Sequence, residues 1–238
     1  MDIIKGLDIL FPMLILFIAV HISASTVLKT MIERYKQQAF VLAAFVIFTA
    51  LTSASWAIGA VALLPFLMGV SIKPILARAT LVTSEPLELD VRKWLGFVEE
   101  AELTWLEHGR LRLPAGYSFI LDATLTTLAF VIAYNLGSAL ESIEKISLAV
   151  SLALLMLGLF VMINNQDLLA QVIGLLVSEH GLFLAAIRVV RQKQLAIVLA
   201  VSLFFYLALT LTILLWVLPS LRKMSKSLEI KDQTQLKG

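Results

Sequence analysis

Apolar stretches of about 20 residues recur along this sequence, and they limit the possible folds more than any other feature. A hydrocarbon core about 30 Å thick is crossed by a helix of about 20 residues. Inside lipid the backbone has no water to bond, so a spanning segment is a helix or a strand of a closed barrel. The stretches are continuously apolar and lack the alternation of barrel strands. The sequence therefore predicts an all-α, polytopic transmembrane helix bundle.

The composition agrees with a lipid environment. Hydrophobic residues make up 60% of the chain and charged residues 15%, whereas soluble proteins carry about 25% charged residues. The chain has no cysteine, so it offers no disulfide, thiolate zinc site or cysteine-ligated iron–sulfur cluster. A net charge of +2 gives no reason to expect nucleic acid as a partner. The first apolar run is too long for a signal-peptide core and is expected to remain as a span.

We expect about seven spans. Pro65 and Pro74 fall inside span three and should bend it, because proline removes a helical hydrogen bond. A tight hairpin near 52–55 should separate spans two and three. The predicted spans are about 9–28, two within 39–80, and then 117–134, 146–163, 168–187 and 195–218.

These spans divide the chain into four parts. The expected domains are three N-terminal transmembrane helices in 1–81, a cytoplasmic segment in 82–116, four transmembrane helices in 117–219 and a cytoplasmic tail in 220–238. The segment 88–108 has an apolar stripe at helical spacing opposite an acidic face. Surface helices that bind anionic lipid are normally basic, so docking of this helix on another protein is favoured. Residence at the lipid interface stays open as the alternative.

The basic residues predict the orientation. Thirteen Lys and Arg residues fall on the side that holds the loop after span one, the stretch from Arg78 through the 82–116 segment, and the tail, against five on the other side. The side richer in Lys and Arg is normally cytoplasmic. The prediction is therefore an external N-terminus and a cytoplasmic C-terminus, in the inner or plasma membrane of a prokaryote.

Two ionisable residues, Glu179 and Lys73, fall well inside predicted spans. A charged side chain at the centre of a spanning helix costs roughly 2.5–3.5 kcal/mol on insertion scales. Such residues usually face the bundle interior and mark ion pathways. Lys73 could instead extend its stem to the interface, and Glu179 could serve only as a structural hydrogen-bonding group.

The remaining polar candidates are weaker. His180 follows Glu179 at about 100° around the helix, and relay and packing roles are both open for it. His21 is expected at a helix contact, and Asp122 lies near a predicted span end, where it could reach the headgroups. Glu141 and Glu144 are expected on a solvated face of an external loop.

No self-contained catalytic site is predicted. The sequence has no Gly-rich phosphate loop, no nucleophile elbow and no HExxH motif. The three histidines are far apart and form no metal-ligand spacing. We therefore expect no catalytic residue, metal ligand or cofactor-binding residue in this chain.

Three stretches carry a family resemblance. The first is NNQDLLAQVIGLLVSEHGLFLAA, with Gly174, Glu179 and Gly181 at the positions of an ENG-like motif and His180 in place of the usual asparagine. The second is the tail SLEIKDQTQLKG, and the third is Lys73 followed by proline. On these residues the chain resembles component E of hydrogenase-4. Its second half is also similar to the three-helix K subunit of respiratory complex I and the C subunit of Mrp antiporters.

The resemblance implies a membrane subunit of a complex-I-like assembly. Glu179, Lys73 and His180 would belong to a chain of buried groups that carries protons or sodium ions. Iron–sulfur and nickel–iron centres would lie in partner subunits, which would include peripheral redox subunits and antiporter-like membrane subunits. The chain departs from the family in two places: the K subunit's glutamate lies about one turn before Glu179, and the predicted last span, LAIVLAVSLFFYLALTLTILLW, has no carboxylate.

Overall fold

The computed structural model describes residues 2–53, 56–80, 113, 115–136, 141–165, 167–189 and 210. Within these ranges the elements are α-helices. They are α1 (Asp2–Ala24), α2 (Leu28–Thr52), α3 (Trp56–Val61), α4 (Leu63–Thr80), α5 (Ala115–Leu136), α6 (Ser142–Asn164) and α7 (Leu168–Val189). Three predicted segments lie outside the described residues: the amphipathic helix at 88–108, span seven at 195–218 and the tail. Thr210, which is helical, is the one described residue of span seven.

The first two helices differ from the predicted spans at their ends. α1 begins at Asp2 and ends at Ala24, and α2 begins at Leu28, eleven residues before the predicted start at 39. The basic stretch 29–38 was expected to be a loop, and this was wrong. Leu28, Met31, Ile32 and Tyr35 are buried at helical spacing along it, so one face packs while the charged residues lie on the other.

The predicted hairpin and the proline bend fall in the next segment. α2 ends at Thr52, where the Ser53 hydroxyl donates to the Thr49 carbonyl at 2.6 Å. Helix formation resumes at Trp56 and is interrupted once more at Ala62. Pro65 lies three residues later and cannot donate to the Val61 carbonyl, which accounts for the interruption. The backbone stays helical through Pro74.

Helices α5, α6 and α7 follow the spans predicted at 117–134, 146–163 and 168–187 within a few residues. α6 begins with a reciprocal cap, in which the Glu141 side chain accepts from the backbone and the Glu144 carboxylate accepts from the Glu141 N–H at 3.4 Å. These two residues therefore cap a helix rather than merely facing solvent. At the other end of α6, Asn164 donates to the Ser118 hydroxyl at 2.9 Å and accepts from the Leu113 N–H at 3.0 Å. The end of α6 is thereby joined to the start of α5.

The helices pack as one bundle around α2 and α6. The closest association is between α6 and α7; α6 also packs on α1 and α5, and α2 packs on α1, α4 and α7. Among the residues that the structure describes, five helices are long and apolar enough to cross a membrane: 3–24, 28–52, 116–135, 142–164 and 169–187. Large apolar side chains such as Leu10, Phe17 and Ile120 are exposed on the outside, which is unusual for a water-soluble monomer. The length and composition of these helices indicate a membrane-embedded protein.

Candidate functional site: a polar network at mid-depth

Small residues bring α6 and α7 into backbone contact. A Cβ atom added at Gly174 would lie 2.7 Å from the Gly158 carbonyl oxygen, and one added at Gly181 would lie 2.6 Å from the Ser151 carbonyl oxygen. Real Cβ atoms essentially never approach that closely. Gly174 and Gly181 are seven residues apart and so lie on the same helix face. Two glycines of the ENG-like stretch thus set the distance of α7 from α6, and with it the position of the residues between them.

Glu179 lies about halfway along the 22 residues of α7. Its side chain is half-buried, and its Oε1 accepts a hydrogen bond from the Thr210 hydroxyl at 2.7 Å. Thr210 belongs to predicted span seven, so this bond connects α7 to a helical residue 31 positions further along the chain. The carboxyl group is therefore held by protein at mid-depth rather than facing only lipid.

His180 points to a different set of neighbours. Its ring is 5% exposed and stacks on Tyr35, with centroids 4.9 Å apart and planes 9° apart. Its Nδ1 lies 3.1 Å from Oε1 of Gln38, which is fully buried. Glu179 and His180 do face different partners, as their angular separation predicts. Tyr35 is itself buried, so the His180 ring is stacked inside the bundle.

The hydrogen bonds determine which nitrogen of His180 carries a proton. Gln38 donates from Nε2 to the Ile15 carbonyl oxygen at 3.2 Å, and a carbonyl oxygen can only accept. The amide oxygen of Gln38 therefore faces His180, and Nδ1 of the ring must be the donor. In the neutral ring Nε2 is then an acceptor. His180 can gain a proton at Nε2 without losing its bond to Gln38.

The network comprises two sets of contacts at adjacent residues of α7: Glu179 with Thr210, and His180 with Tyr35, Gln38 and the Ile15 carbonyl group. It connects α1, α2, α7 and the helical residue 210 at mid-depth. Sequence reasoning selected Glu179 and His180 but missed Tyr35 and Gln38. The available signal was the spacing of 28, 31, 35 and 38, which places Gln38 on the buried stripe of α2.

The other predicted site residues lie apart from this network, or their side chains are not among the described ones. The backbone of Lys73 is in α4, but its side chain is not among the described ones. His21 was expected at a helix contact. It is instead exposed, and its Nδ1 lies 3.0 Å from the Phe17 carbonyl of its own helix. Asp122 was placed near a span end, from which it could reach the headgroups; its side chain is instead fully buried in the bundle.

Within the described residues, no group of three or more His, Cys, Asp or Glu side chains could hold a metal ion. No protein-family model, curated protein or solved structure matches the chain. The geometry of the network and the residues of the three sequence stretches are therefore the basis for a functional proposal.

Proposed function

We propose that the chain is a membrane-arm subunit of a complex-I-like redox complex, of the membrane-bound [NiFe]-hydrogenase or formate hydrogenlyase type. It contributes Glu179, His180 and Lys73 to the translocation of protons or sodium ions. Redox chemistry takes place in partner subunits. Seven spans, with the N-terminus outside and the C-terminus in the cytoplasm of a prokaryote, belong to the same proposal.

The position of the Glu179 carboxyl group carries this proposal. The group lies halfway along an apolar helix of spanning length, and it is bonded to Thr210 of another segment. Ionisable groups at such depth are costly and mark ion pathways. His180, the next residue along α7, adds a second polar set, in which Gln38 connects its ring to the Ile15 carbonyl group of α1. A carboxyl group next to a protonatable ring, inside a bundle, has the composition of a proton relay.

A substitution that removes the charge and keeps the shape tests the relay. Glu179→Gln retains an oxygen that can accept from Thr210 but cannot ionise. In the assembled complex we expect normal electron transfer and a loss of most coupled ion movement, read with a pH- or sodium-sensitive dye in proteoliposomes. Glu33→Gln is the matched control. Glu33 lies near the start of α2, and it is not one of the network residues. Full ion movement in Glu179→Gln would refute the relay.

A structural adaptor is the second candidate, and the network also favours it. His180, Gln38 and the Ile15 carbonyl connect three helices, so their main effect could be on assembly between a redox module and antiporter-like subunits. In that case Glu179→Gln would reduce the amount of co-purified complex while leaving coupling intact in whatever assembles. The proteins that co-purify with the chain identify the class of complex. A nickel–iron subunit among them indicates a hydrogenase, whereas antiporter subunits without a nickel–iron subunit indicate a cation antiporter.

A further inference from the structure

A second carboxyl group, Asp122, is buried in the contact between α1 and α5. Its side chain is 0% exposed, and it lies inside the apolar segment 116–135. The Ser23 hydroxyl, itself 1% exposed, donates to Oδ1 at 2.7 Å. The other oxygen, Oδ2, is buried and has no hydrogen-bond partner among the described residues. One oxygen of a fully buried carboxyl group can therefore bind a proton without breaking a hydrogen bond to the described residues.

Charged groups on the helices that pack against α5 do not compensate an anion here. α5 packs on α1 and α6. His21 is exposed and bonded within α1. Lys5 of α1 is 18 residues before Ser23, which is about 27 Å of helix. The other titratable groups on these helices lie toward the opposite end of the bundle or on its outside. They are Asp8, Tyr117, Tyr134, Glu144 and Lys145. Among the described residues, Ser23 alone contacts the carboxyl group of Asp122 through a polar atom.

The geometry suits a neutral acid better than a carboxylate. A buried charge without a partner is strongly unfavourable, and one hydroxyl donor does little to replace its lost hydration. With a proton on Oδ2, the group becomes neutral and Oδ1 remains the carbonyl-type acceptor for Ser23. Thr126 follows one helical turn later on the same face. Its Oγ1 is likewise buried without a partner and is an acceptor of the right kind for the acid proton.

We propose that Asp122 is a proton-binding site within the membrane, formed in the α1–α5 contact with Ser23 and Thr126. The proton is held on Oδ2 and is exchanged with the medium. The site is separate from the Glu179 network, and it depends on no particular partner complex.

Infrared spectroscopy of the purified full chain in nanodiscs tests this site. A protonated carboxyl group has a C=O band well separated from that of a carboxylate. We expect the difference spectrum between the unaltered chain and Asp122→Asn to contain such a band at neutral pH, and the difference spectrum with Asp8→Asn to lack it. We further expect the band to disappear reversibly when the pH is raised to about 10, beyond the range of ordinary carboxyl groups.

Ser23→Ala provides a second variant that keeps the acid. Loss of the hydrogen bond to Oδ1 should move the C=O band to higher frequency without removing it, whereas a purely structural effect on packing would not produce that directed shift. Circular dichroism verifies that each variant is folded. If Asp122→Asn does not fold, the shift in Ser23→Ala and the pH series on the unaltered chain still decide the matter.

Two results would overturn the proposal. One is the absence of an Asp122-dependent acid band at every pH that leaves the chain folded. The other is a band that persists unchanged to the highest pH, which would mean a permanently neutral structural acid. The pH series is repeated in sodium chloride and in choline chloride. Loss of the acid band in sodium chloride at constant pH shows that a sodium ion replaces the proton. A band that is the same in both salts identifies the proton as the ligand.

Discussion

At the scale of single residues, His180 and Gln38 show how one polar bond depends on another. The Gln38 amide is oriented by the Ile15 carbonyl group, and its oxygen then accepts from His180. Both side chains are buried, so removal of one leaves an unsatisfied atom on the other: Nδ1 of His180 or Oε1 of Gln38. An unsatisfied buried polar group costs about 1–3 kcal/mol.

Gln38→Leu should therefore destabilise the folded chain by about 1–3 kcal/mol, because Nδ1 of His180 loses its acceptor. The free energy of unfolding of the reconstituted chain, measured by steric trapping, gives this value. Gln37→Leu is the matched control: the same change at the adjacent residue affects an exposed side chain, which accepts a hydrogen bond from Arg34 of the same helix. Equal stability of the two variants would contradict the buried Gln38–His180 bond.

At the scale of elements, the antiparallel pair of α6 and α7 is the closest contact in the bundle. Gly158 faces Gly174 and Ser151 faces Gly181, so backbone meets backbone at two levels. Small residues are the usual means of close helix contact in membranes, where lipid gives no hydrophobic drive for association. In this protein the pair also carries Glu179 and His180, so its spacing determines which residues they reach.

Gly174→Ala should separate this pair. The added methyl group would meet the Gly158 carbonyl oxygen at 2.7 Å, and backbone atoms cannot rotate away as side chains can. Overpacking of this kind costs about 1–3 kcal/mol. Gly6→Ala is the control, because nothing lies within 4 Å of a Cβ atom there and alanine favours a helix by up to about 1 kcal/mol. Thermal unfolding should rank Gly174→Ala below the unaltered chain and Gly6→Ala at or above it; a neutral Gly174→Ala would exclude the close packing.

At the scale of the whole molecule, the described helices form a bundle with alternating directions. Ser23 at the end of α1 contacts Asp122 near the start of α5, and Ser118 in the same part of α5 contacts Asn164 at the end of α6. Those three helix ends therefore lie at one end of the bundle. The distribution of basic residues predicts that this end is cytoplasmic.

Labelling of single cysteines tests the predicted topology, and the chain offers a natural background because it has no cysteine. With seven spans, Lys5→Cys and Ser138→Cys should react with a membrane-impermeant maleimide in intact cells. Thr26→Cys and Ser225→Cys should react only after the membrane is permeabilised. Labelling of Ser225→Cys from outside would leave an even number of spans and overturn the orientation.

Much of the helical framework follows from the sequence alone. Spans near 117–134, 146–163 and 168–187 were predicted within a few residues, because continuous apolar character over about 20 residues leaves few alternatives in lipid. The break before Pro65 also follows from local chemistry, since proline lacks the N–H that a helix needs. The start of α2 did not follow, because Lys29 and its polar neighbours lower the average hydropathy of a segment whose buried face is apolar.

The sequence by itself determined that the chain crosses a membrane as helices and that Glu179 is an exceptional residue within them. It could not determine what any polar side chain faces, because a neighbour such as Gln38 lies 142 residues from His180 along the chain. Only the tertiary structure decided that His180 stacks on Tyr35, that Glu179 meets Thr210 and that Asp122 is buried. The physical reason is that hydropathy depends on composition over a local window, whereas the partner of a buried polar group depends on how whole helices pack.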